Sequence, residues 1–331
     1  MRLDVIIPTY NRCDLLIRTL DSLFTARRPP ELAVSITVVD NNSKDRTRPV
    51  VEAQMQRFQG RLGYVFESRQ GRSHALNAGI RSTDGDLVGM IDDDEEVDPH
   101  WYECIYSAFT QMEVDFIGGP YYPRWGAEPP AWLPADKRGV IGWVDGGPCV
   151  RPFDESYPGN LMGGNAVLRR SLFEKVGLYA TDLGRTDKHL LSCEDEEMYK
   201  RLLAAGARGF YLPDLIIYHY IPPERLTRKY FRQWCFWRGV SLGVLDRKQP
   251  SPVAYLAGVP RWLYGRAARG LLRIARTSWG RDKDAARNFS DELAFWDLAG
   301  FFYGKHFYRP RANGDLQEVT PFTEAGRKCA S

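Results

Sequence analysis

Three consecutive carboxylates, Asp92, Asp93 and Asp94, directly follow an apolar run at residues 86–91 (DLVGMI). Adjacent like charges at the end of a buried strand repel one another, and a divalent cation removes that repulsion. Magnesium or manganese takes one or two carboxylates, keeps waters and completes its shell with the phosphate oxygens of a substrate. In an extended ending, Asp92 and Asp94 point to one side and Asp93 to the other. An acidic surface turn is the plain structural alternative. A second cluster, Ser192-Cys193-Glu194-Asp195-Glu196-Glu197, precedes the helical run MYKRLLAAG. Ser192 is a candidate cap, and Glu196 and Glu197 fit simple complements of the helix dipole. Asp195 is a candidate general base; a carboxylate at a helix N-terminus is a weak base, so placement must supply much of its rate. His219 closes a strand-like run in IIYHYIPP. Alone it reads as structural; beside a carboxylate and a diphosphate it is an acceptable manganese ligand.

These groups need a scaffold, and the first 120 residues alternate strand and helix signals. Short apolar or β-branched runs at residues 4–8, 35–39, 64–67, 86–91 and 114–118 predict strands. Helical spacing at 14–25, 46–58 and 73–81, and after Asp98-Pro99, predicts the helices between them, with Asn11 a candidate cap for the first. That rhythm predicts an α/β fold with a mostly parallel sheet covered on both faces. Ligands of such sheets bind outside the carboxyl ends of the strands, which selects residues 9–12, 40–43, 68–73 and 92–94. Residues 119–164 are rich in Pro, Gly and Trp and read as an irregular insertion. Helices at 169–176 and 194–205 and strands at 209–212 and 215–219 follow. After Pro222-Pro223 the chain turns helical, basic and aromatic, placing a boundary between residues 1–220 and 221–331.

Composition sets outer limits. The chain has 331 residues, 44% hydrophobic and 13% aromatic, which excludes disordered and collagen-like classes. Its formal charge of +3 hides an asymmetry: residues 221–331 carry 20 basic and 10 acidic side chains, residues 1–220 carry 25 and 32. No uncharged apolar run reaches the length of about 18–20 residues that spans a bilayer. The opening MRLDVIIPTYNR holds only a short apolar run, unlike a secretory signal. The six cysteines (13, 104, 149, 193, 235 and 329) form no CxxC pair, which argues against zinc or a disulfide framework and for a reducing, cytoplasmic setting.

In order along the chain stand VIIPTYNR, VVDNNSKD, GRSHALNAGI, LVGMIDDDEEVDPHW, GGNAVLRRSLFEKVGLY and CEDEEMYKRLLAAG. Together they resemble glycosyltransferase family 2, on the fold usually called GT-A. The resemblance covers about residues 1–220, and HYIPPERLTRKYFRQW is similar to a segment of bacterial members. It implies a metal-dependent, inverting transfer of a sugar from a nucleotide diphosphate donor, with magnesium or manganese as cofactor. Pro8, Thr9, Tyr10 and Asn11 match the first-strand turn against the nucleotide, with Thr9 and Arg12 near it. Asp40 matches the carboxylate that pairs with the base, typically uracil; an Asx turn with Asn41 is the alternative. Gly71, Arg72 and Asn77 match the segment lining ribose and diphosphate. Asp92 and Asp94 bracket the Asp-x-Asp motif, with Asp94 the direct metal ligand and Asp93 near the ribose. Gly163, Gly164 and Asn165 match a loop near the donor sugar and acceptor. Asp195 matches the catalytic base, and His219 a histidine that completes the metal site in some relatives.

The basic end carries its own pattern. Residues 261–290 hold Arg261, Arg266, Arg269, Arg273, Arg276, Arg281, Lys283 and Arg287 against Asp282 and Asp284. Arg266, Arg269, Arg273 and Arg276 form one helical stripe beside an apolar stripe of Leu263, Ala267, Leu271 and Ile274. Such a helix suits an anionic membrane surface at the inner face of the cell membrane; packing on the catalytic domain is the alternative. No recognised nucleic-acid module accompanies it. The expected acceptor is a cell-envelope glycan or a lipid-linked acceptor. A non-catalytic nucleotide-sugar or glycan-binding protein on the same fold, and a nucleotidyl or phosphoryl transferase, are the competing readings.

Overall fold

The computed structural model describes residues 1–157, 159–185, 190–279 and 285–309. In chain order the first elements are β1 (Arg2–Thr9), α1 (Cys13–Thr25), β2 (Ala33–Asp40), α2 (Thr47–Met55), β3 (Leu62–Phe66), α3 (Arg72–Arg81) and β4 (Leu87–Met90). There follow β5 (Glu95–Val97), α4 (Trp101–Gln111), β6 (Phe116–Gly118), β7 (Tyr121–Trp125), β8 (Arg151–Phe153), β9 (Ala166–Arg169), α5 (Ser171–Val176), α6 (Glu194–Ala204), β10 (Gly209–Tyr211) and β11 (Ile217–Ile221). The C-terminal part holds α7 (Arg228–Lys248), β12 (Tyr255–Leu256), β13 (Val259–Pro260), α8 (Arg261–Trp279) and α9 (Ala285–His306).

Eight strands form the main sheet in the order β3-β2-β1-β4-β9-β6-β10-β8. β3, β2, β1 and β4 are mutually parallel, as are β6 and β10. β9 runs antiparallel to both neighbours, and β8 is an antiparallel edge. Alternation along β1 sends Leu3, Val5 and Ile7 into a core with Leu16 and Leu20 of α1 and Trp101 and Ile105 of α4. Ile6 joins Leu76 and Ile80 of α3 and Met198 of α6 on the other face. The mostly parallel, doubly covered sheet is therefore present. The sequence reading missed β9, placing Arg169 at a helix start, and missed β5. Both are too short to show a period of their own, and pairing with distant partners makes them strands.

A second sheet of order β5-β11-β7 sits beside the first. Its register sets His219 opposite Glu95, one residue from Asp94. The insertion at 119–164 contributes β7 and β8, with a short 3-10 segment (Ala135–Ile141) between them. Among the described residues Cys13, Cys104, Cys149, Cys193 and Cys235 are free thiols; Cys329 lies outside them.

α7 and α9 meet backbone to backbone. A Cβ on Gly239 would run into the Asp297 carbonyl, and one on Gly300 into the Phe236 carbonyl. Gly243 and Gly304 repeat the contact one turn on, against Phe301 and Val240. Only glycine lets helices approach this closely. α8 lies across α9 and revises the expected stripes. Arg266 and Arg273 face inward, onto Asp297 and Asp291 of α9. Leu263 and Ala267 are buried, whereas Leu271 stands half exposed beside Leu272. The outer face of α8 thus carries Arg261, Trp262, Arg269, Leu271, Leu272 and Arg276. The basic and acidic residues 281–284 lie outside the described residues.

Replacing Gly300 by Val is expected to lower the thermal unfolding midpoint and to cost about 1–3 kcal/mol or more, because a close-packed seam is overfilled. Gly139→Ala, where the added Cβ meets nothing within 4 Å, is the control. Circular dichroism melts compare the two; a Gly300→Val protein as stable as the parent would contradict the backbone contact.

Candidate active site

The carboxyl ends of β1 and β2 finish level, with Thr9 beside Asp40. β4 stops at Met90, opposite Ile6, so the acidic run passes alongside the end of β1. It turns instead of running on: the Glu95 amide donates to the Asp92 carbonyl at 3.2 Å, and the Asp92 amide donates to Glu95 Oε2 at 2.7 Å. The expected alternation therefore fails. Asp93 and Asp94 share Arg12, whose Nη1 lies 3.0 Å from Asp93 Oδ1 and 2.9 Å from Asp94 Oδ2. Asp92 faces the other way, to Nη2 of Arg72 at 2.9 Å. Thr9 Oγ1 donates to Asp93 Oδ2 at 2.8 Å, and the Tyr10 amide lies 3.4 Å from the same oxygen.

A third arginine reaches in from outside the sheet domain. Arg225 ends a 3-10 turn (Pro223–Arg225) ahead of α7 and is itself buried. Its Nη2 donates to Asp94 Oδ2 at 3.1 Å and its Nη1 lies 2.9 Å from His219 Nε2. Burial alone would raise the Asp94 carboxyl, but His219, Arg225 and Arg12 hold it well below the usual carboxylate range. Asp93 is pushed up to about 6 by burial, partly offset by Arg12 and reinforced by Asp94. Glu95 is raised well above its usual value by burial and by the charges of Asp92 and Asp94.

Arg72, at the start of α3, joins this loop to the second acidic cluster. Its Nη1 lies 3.2 Å from Glu194 Oε1 and 3.1 Å from Asp195 Oδ1. α6 starts at Glu194, preceded by Cys193 at a left-handed φ of 77° with no side-chain cap. The expected cap Ser192 instead donates its amide to Ser241 of α7 at 2.9 Å. Glu194 is buried and pushed up to about 7, by burial and by the neighbouring Asp195, against the pull of Arg72. Asp195 is the more open of the pair, with 22% of its side chain exposed against 7%. A Cβ on Gly163 would strike the Asp195 carboxylate and one on Gly164 the Glu95 carboxylate. These glycines let the backbone floor approach both acids.

A cavity of about 560 Å³ unites these groups. Of the expected residues it is lined by Pro8, Thr9, Tyr10, Arg12, Arg72, Asp92, Asp93, Asp94, Gly163, Gly164, Asp195 and His219. Four others stand behind the wall. Asp40 is buried, accepting from the Ser43 amide at 2.8 Å and the Tyr64 hydroxyl at 2.7 Å. Asn77 exchanges two hydrogen bonds of 2.9 Å with the backbone of Tyr179. Asn165 accepts from the Trp101 indole at 2.9 Å and donates to the Leu215 carbonyl at 2.6 Å. Gly71 has a φ of 140° and donates its amide to Asn41 Oδ1 at 2.7 Å. Asn11, the expected cap of α1, has a φ of 54° and accepts from the Lys44 amide, while Asp45 takes the Cys13 amide. Sequence reasoning missed Arg225, Glu95, Asn41 and the α7 residues Tyr230, Trp234 and Arg238, which also line the cavity. Arg225, Tyr230 and Trp234 fall within HYIPPERLTRKYFRQW, the segment similar to bacterial members, and Arg238 lies one turn further on.

Asp94 Oδ2 and His219 Nε2 face each other at 3.6 Å, and His219 Nδ1 is a buried polar atom without a hydrogen-bond partner. A cation between them, completed by phosphate oxygens and water, would take the place of Arg225, which contacts both atoms. Asp92 does not join this pair. Among the described residues no three His, Cys, Asp or Glu side chains are assembled to enclose a metal, because the turn aims Asp92 at Arg72.

Comparison with known proteins agrees with this geometry. The model of glycosyl transferase family 2 matches residues 4–177. The chain is 26% identical over 257 residues to the glucosyl-dolichyl phosphate glucuronosyltransferase of Haloferax volcanii, covering 76% of this chain and 79% of that protein. It is 23% identical to the succinoglycan biosynthesis protein ExoM of Rhizobium meliloti, covering 74% and 75%. In fold it is similar to the mannosyltransferase PcManGT from Pyrobaculum calidifontis, solved with GDP-Man and Mn2+. The TM-score is 0.58 at 18% identity, with 91% of this chain and 86% of that one covered. GalNAc-T7, solved with UDP, GalNAc and Mn2+, gives 0.54 at 14% identity, covering 78% and 52%. With more than half of its length matched, the chain belongs to glycosyl transferase family 2 and is a glycosyltransferase on a GT-A fold.

Proposed function

We propose that this glycosyltransferase moves a sugar from a nucleotide diphosphate donor, UDP in the leading reading, to a hydroxyl of a cell-envelope glycan or lipid-linked acceptor, with inversion. The observation that carries the reading is the placement of Asp195 in one cavity with the Asp92–Asp94 turn, the two joined by Arg72. Nucleotide and diphosphate occupy the carboxyl ends of β1 and β4, where Thr9, Arg12 and the acidic turn lie. Asp94 and His219 would hold the divalent cation, which supplies charge neutralisation of the leaving diphosphate. Arg12 and Arg225 flank the same oxygen of Asp94 and are placed to add positive charge there. Asp195 takes the proton of the acceptor hydroxyl as that oxygen bonds to the anomeric carbon. The bond from that carbon to the phosphate oxygen breaks, and the nucleoside diphosphate departs with the electron pair. Arg72 orients the Asp195 carboxylate toward the cavity. A non-catalytic binding protein fits less well, since it has no use for a carboxylate held open beside this pair of sites.

In this reading residues 1–220 form the donor-binding unit, and residues 221–331 supply the remaining wall and a membrane face. Among the described residues no helix is long and apolar enough to cross a membrane. Support for surface binding comes from exposed apolar side chains. Leu272 is 58% exposed, Trp262 52% and Phe307 63%. The hairpin of β12 and β13 lies against the end of α9: the Ala257 carbonyl lies 2.9 Å from His306 Nε2, and the His306 ring stands 4.7 Å from Phe302. Residues 251–280 contain five arginines and no acidic side chain. Apolar side chains interleaved with Arg261, Arg269 and Arg276, which stay outward while Arg266 and Arg273 pair with acids of α9, match an anionic membrane surface.

Turnover of a panel of UDP-, GDP- and dTDP-sugars with Mn2+ tests the reading; no cation-dependent transfer or hydrolysis from any donor would overturn it. Asp195→Asn is expected to reduce transfer by about 10²–10⁴-fold while calorimetry shows nucleotide binding nearly intact. Equal loss of both would remove Asp195 as base. Asp94→Ala is expected to abolish the Mn2+-dependent part of nucleotide affinity. Flotation with anionic liposomes is expected at low salt, falling as salt rises. A protein that stays at the bottom of the gradient at low salt would leave these side chains without a membrane role.

A further inference from the structure

Five arginines line the cavity on two walls, and they differ in one respect. Arg12, Arg72 and Arg225, around the acidic turn, are all matched to carboxylates. Arg185 sits beside Arg72, whose amide donates to its carbonyl at 3.1 Å, and its charge acts on Glu194, whereas Arg238 on α7 makes no ion pair or hydrogen bond through its guanidinium group among the described residues. Both are only partly exposed. A half-buried guanidinium without a counter-charge gives up hydration for nothing in the free protein and gains most from an anionic ligand.

Arg238 is not isolated. Tyr230, Trp234 and Arg238 recur every four residues along α7, so they present one stripe to the cavity. Ser241, one turn past Arg238, holds the Ser192 amide at 2.9 Å, and Asp195 lies three residues after Ser192. The α7 stripe is therefore pinned to the segment that carries Asp195. Aromatic faces beside a cationic fork bind the apolar face of a sugar ring and an anionic substituent.

We infer that Tyr230, Trp234 and Arg238 form an acceptor subsite for a sugar that carries phosphate, its ring against the aromatics and its phosphate on Arg238. The inference rests on the glycosyltransferase reading with Asp195 as base, and it narrows the acceptor to an anionic class. Planar, bidentate donation is what a phosphate oxygen pair takes from arginine. The donor diphosphate is already served by the cations around Asp94, which leaves Arg238 for the second substrate.

Calorimetry of the full chain with UDP and Mn2+ present tests this with three probes: glucose 1-phosphate, a decyl phosphodiester of glucose, and neutral decyl glucoside. The phosphate-bearing probes are expected to bind about tenfold or more tighter than a neutral counterpart, as one charge-assisted contact gives. Arg238→Ala is expected to erase that preference while leaving UDP affinity within about twofold, and Arg238→Lys to retain part of it. The decyl phosphodiester binding tighter than glucose 1-phosphate assigns a lipid-linked source. Equal binding assigns the phosphate headgroup alone, and either result supports the subsite. Equal binding of charged and neutral decyl probes overturns the inference, as does a loss of UDP affinity in Arg238→Ala that matches the loss of probe affinity. Cation-dependent donor turnover by the parent protein is measured in the same preparation. Its absence counts against the glycosyl-transfer reading, whereas its presence with an unchanged phosphate preference in Arg238→Ala counts against this subsite alone.

Discussion

The acids Asp92–Glu95, the first four of a run of five at the mouth of a hydrophobic sheet, are the constraint around which the rest is built. Buried carboxylates repel each other and lose hydration, and the chain answers with charge from three separate places. Arg12 comes from the turn after β1, Arg72 from the start of α3, and Arg225 from beyond the second sheet. Glu95, its carboxyl raised well above its usual value by burial, accepts the Asp92 amide. An arrangement that balances so much charge in the free protein is also one that can exchange part of it for a cation and a diphosphate.

The same compensation fixes the relation between the two parts of the chain. Arg225 cannot reach Asp94 unless β11 lies beside β5, and that register also sets His219 against the acidic turn. α7 then leaves the sheet at a defined place and is held by α9 through paired glycines. The cavity is consequently lined by both parts of the chain, by residues at the strand ends of the sheet and by α7.

The acidic front and basic back acquire a structural meaning in this light. Part of the basic excess is consumed internally: Arg225 pairs with Asp94, Lys248 with Asp182, and Arg266 and Arg273 with acids of α9. What remains outward on α8 is Arg261, Arg269 and Arg276 among exposed Trp262, Leu271 and Leu272. The arginine stripe read from spacing alone was thus half structural.

The sequence by itself determined the strand and helix rhythm of the first 120 residues, because buried parallel strands need continuous apolar runs and those runs are local. It also pointed to the acidic turn, Arg12 and Arg72 as positions after strand ends, to Asp195 at a helix start, and to His219 in a strand. Tertiary structure alone decided the rest. β5 and β9 are strands only because distant neighbours supply their hydrogen bonds, and a tight turn, invisible in the residue types, sent Asp92 to Arg72 and left Asp94 with His219. Asn77 and Asn165, read as ligand-facing, became buried ties to Tyr179, Trp101 and Leu215, since an amide in a dry core must satisfy its groups wherever the chain brings a partner. Arg225 and the stripe of Tyr230, Trp234 and Arg238 joined the site for the same reason. Arg225 meets Asp94 across 131 residues, and no local pattern encodes where a helix will dock.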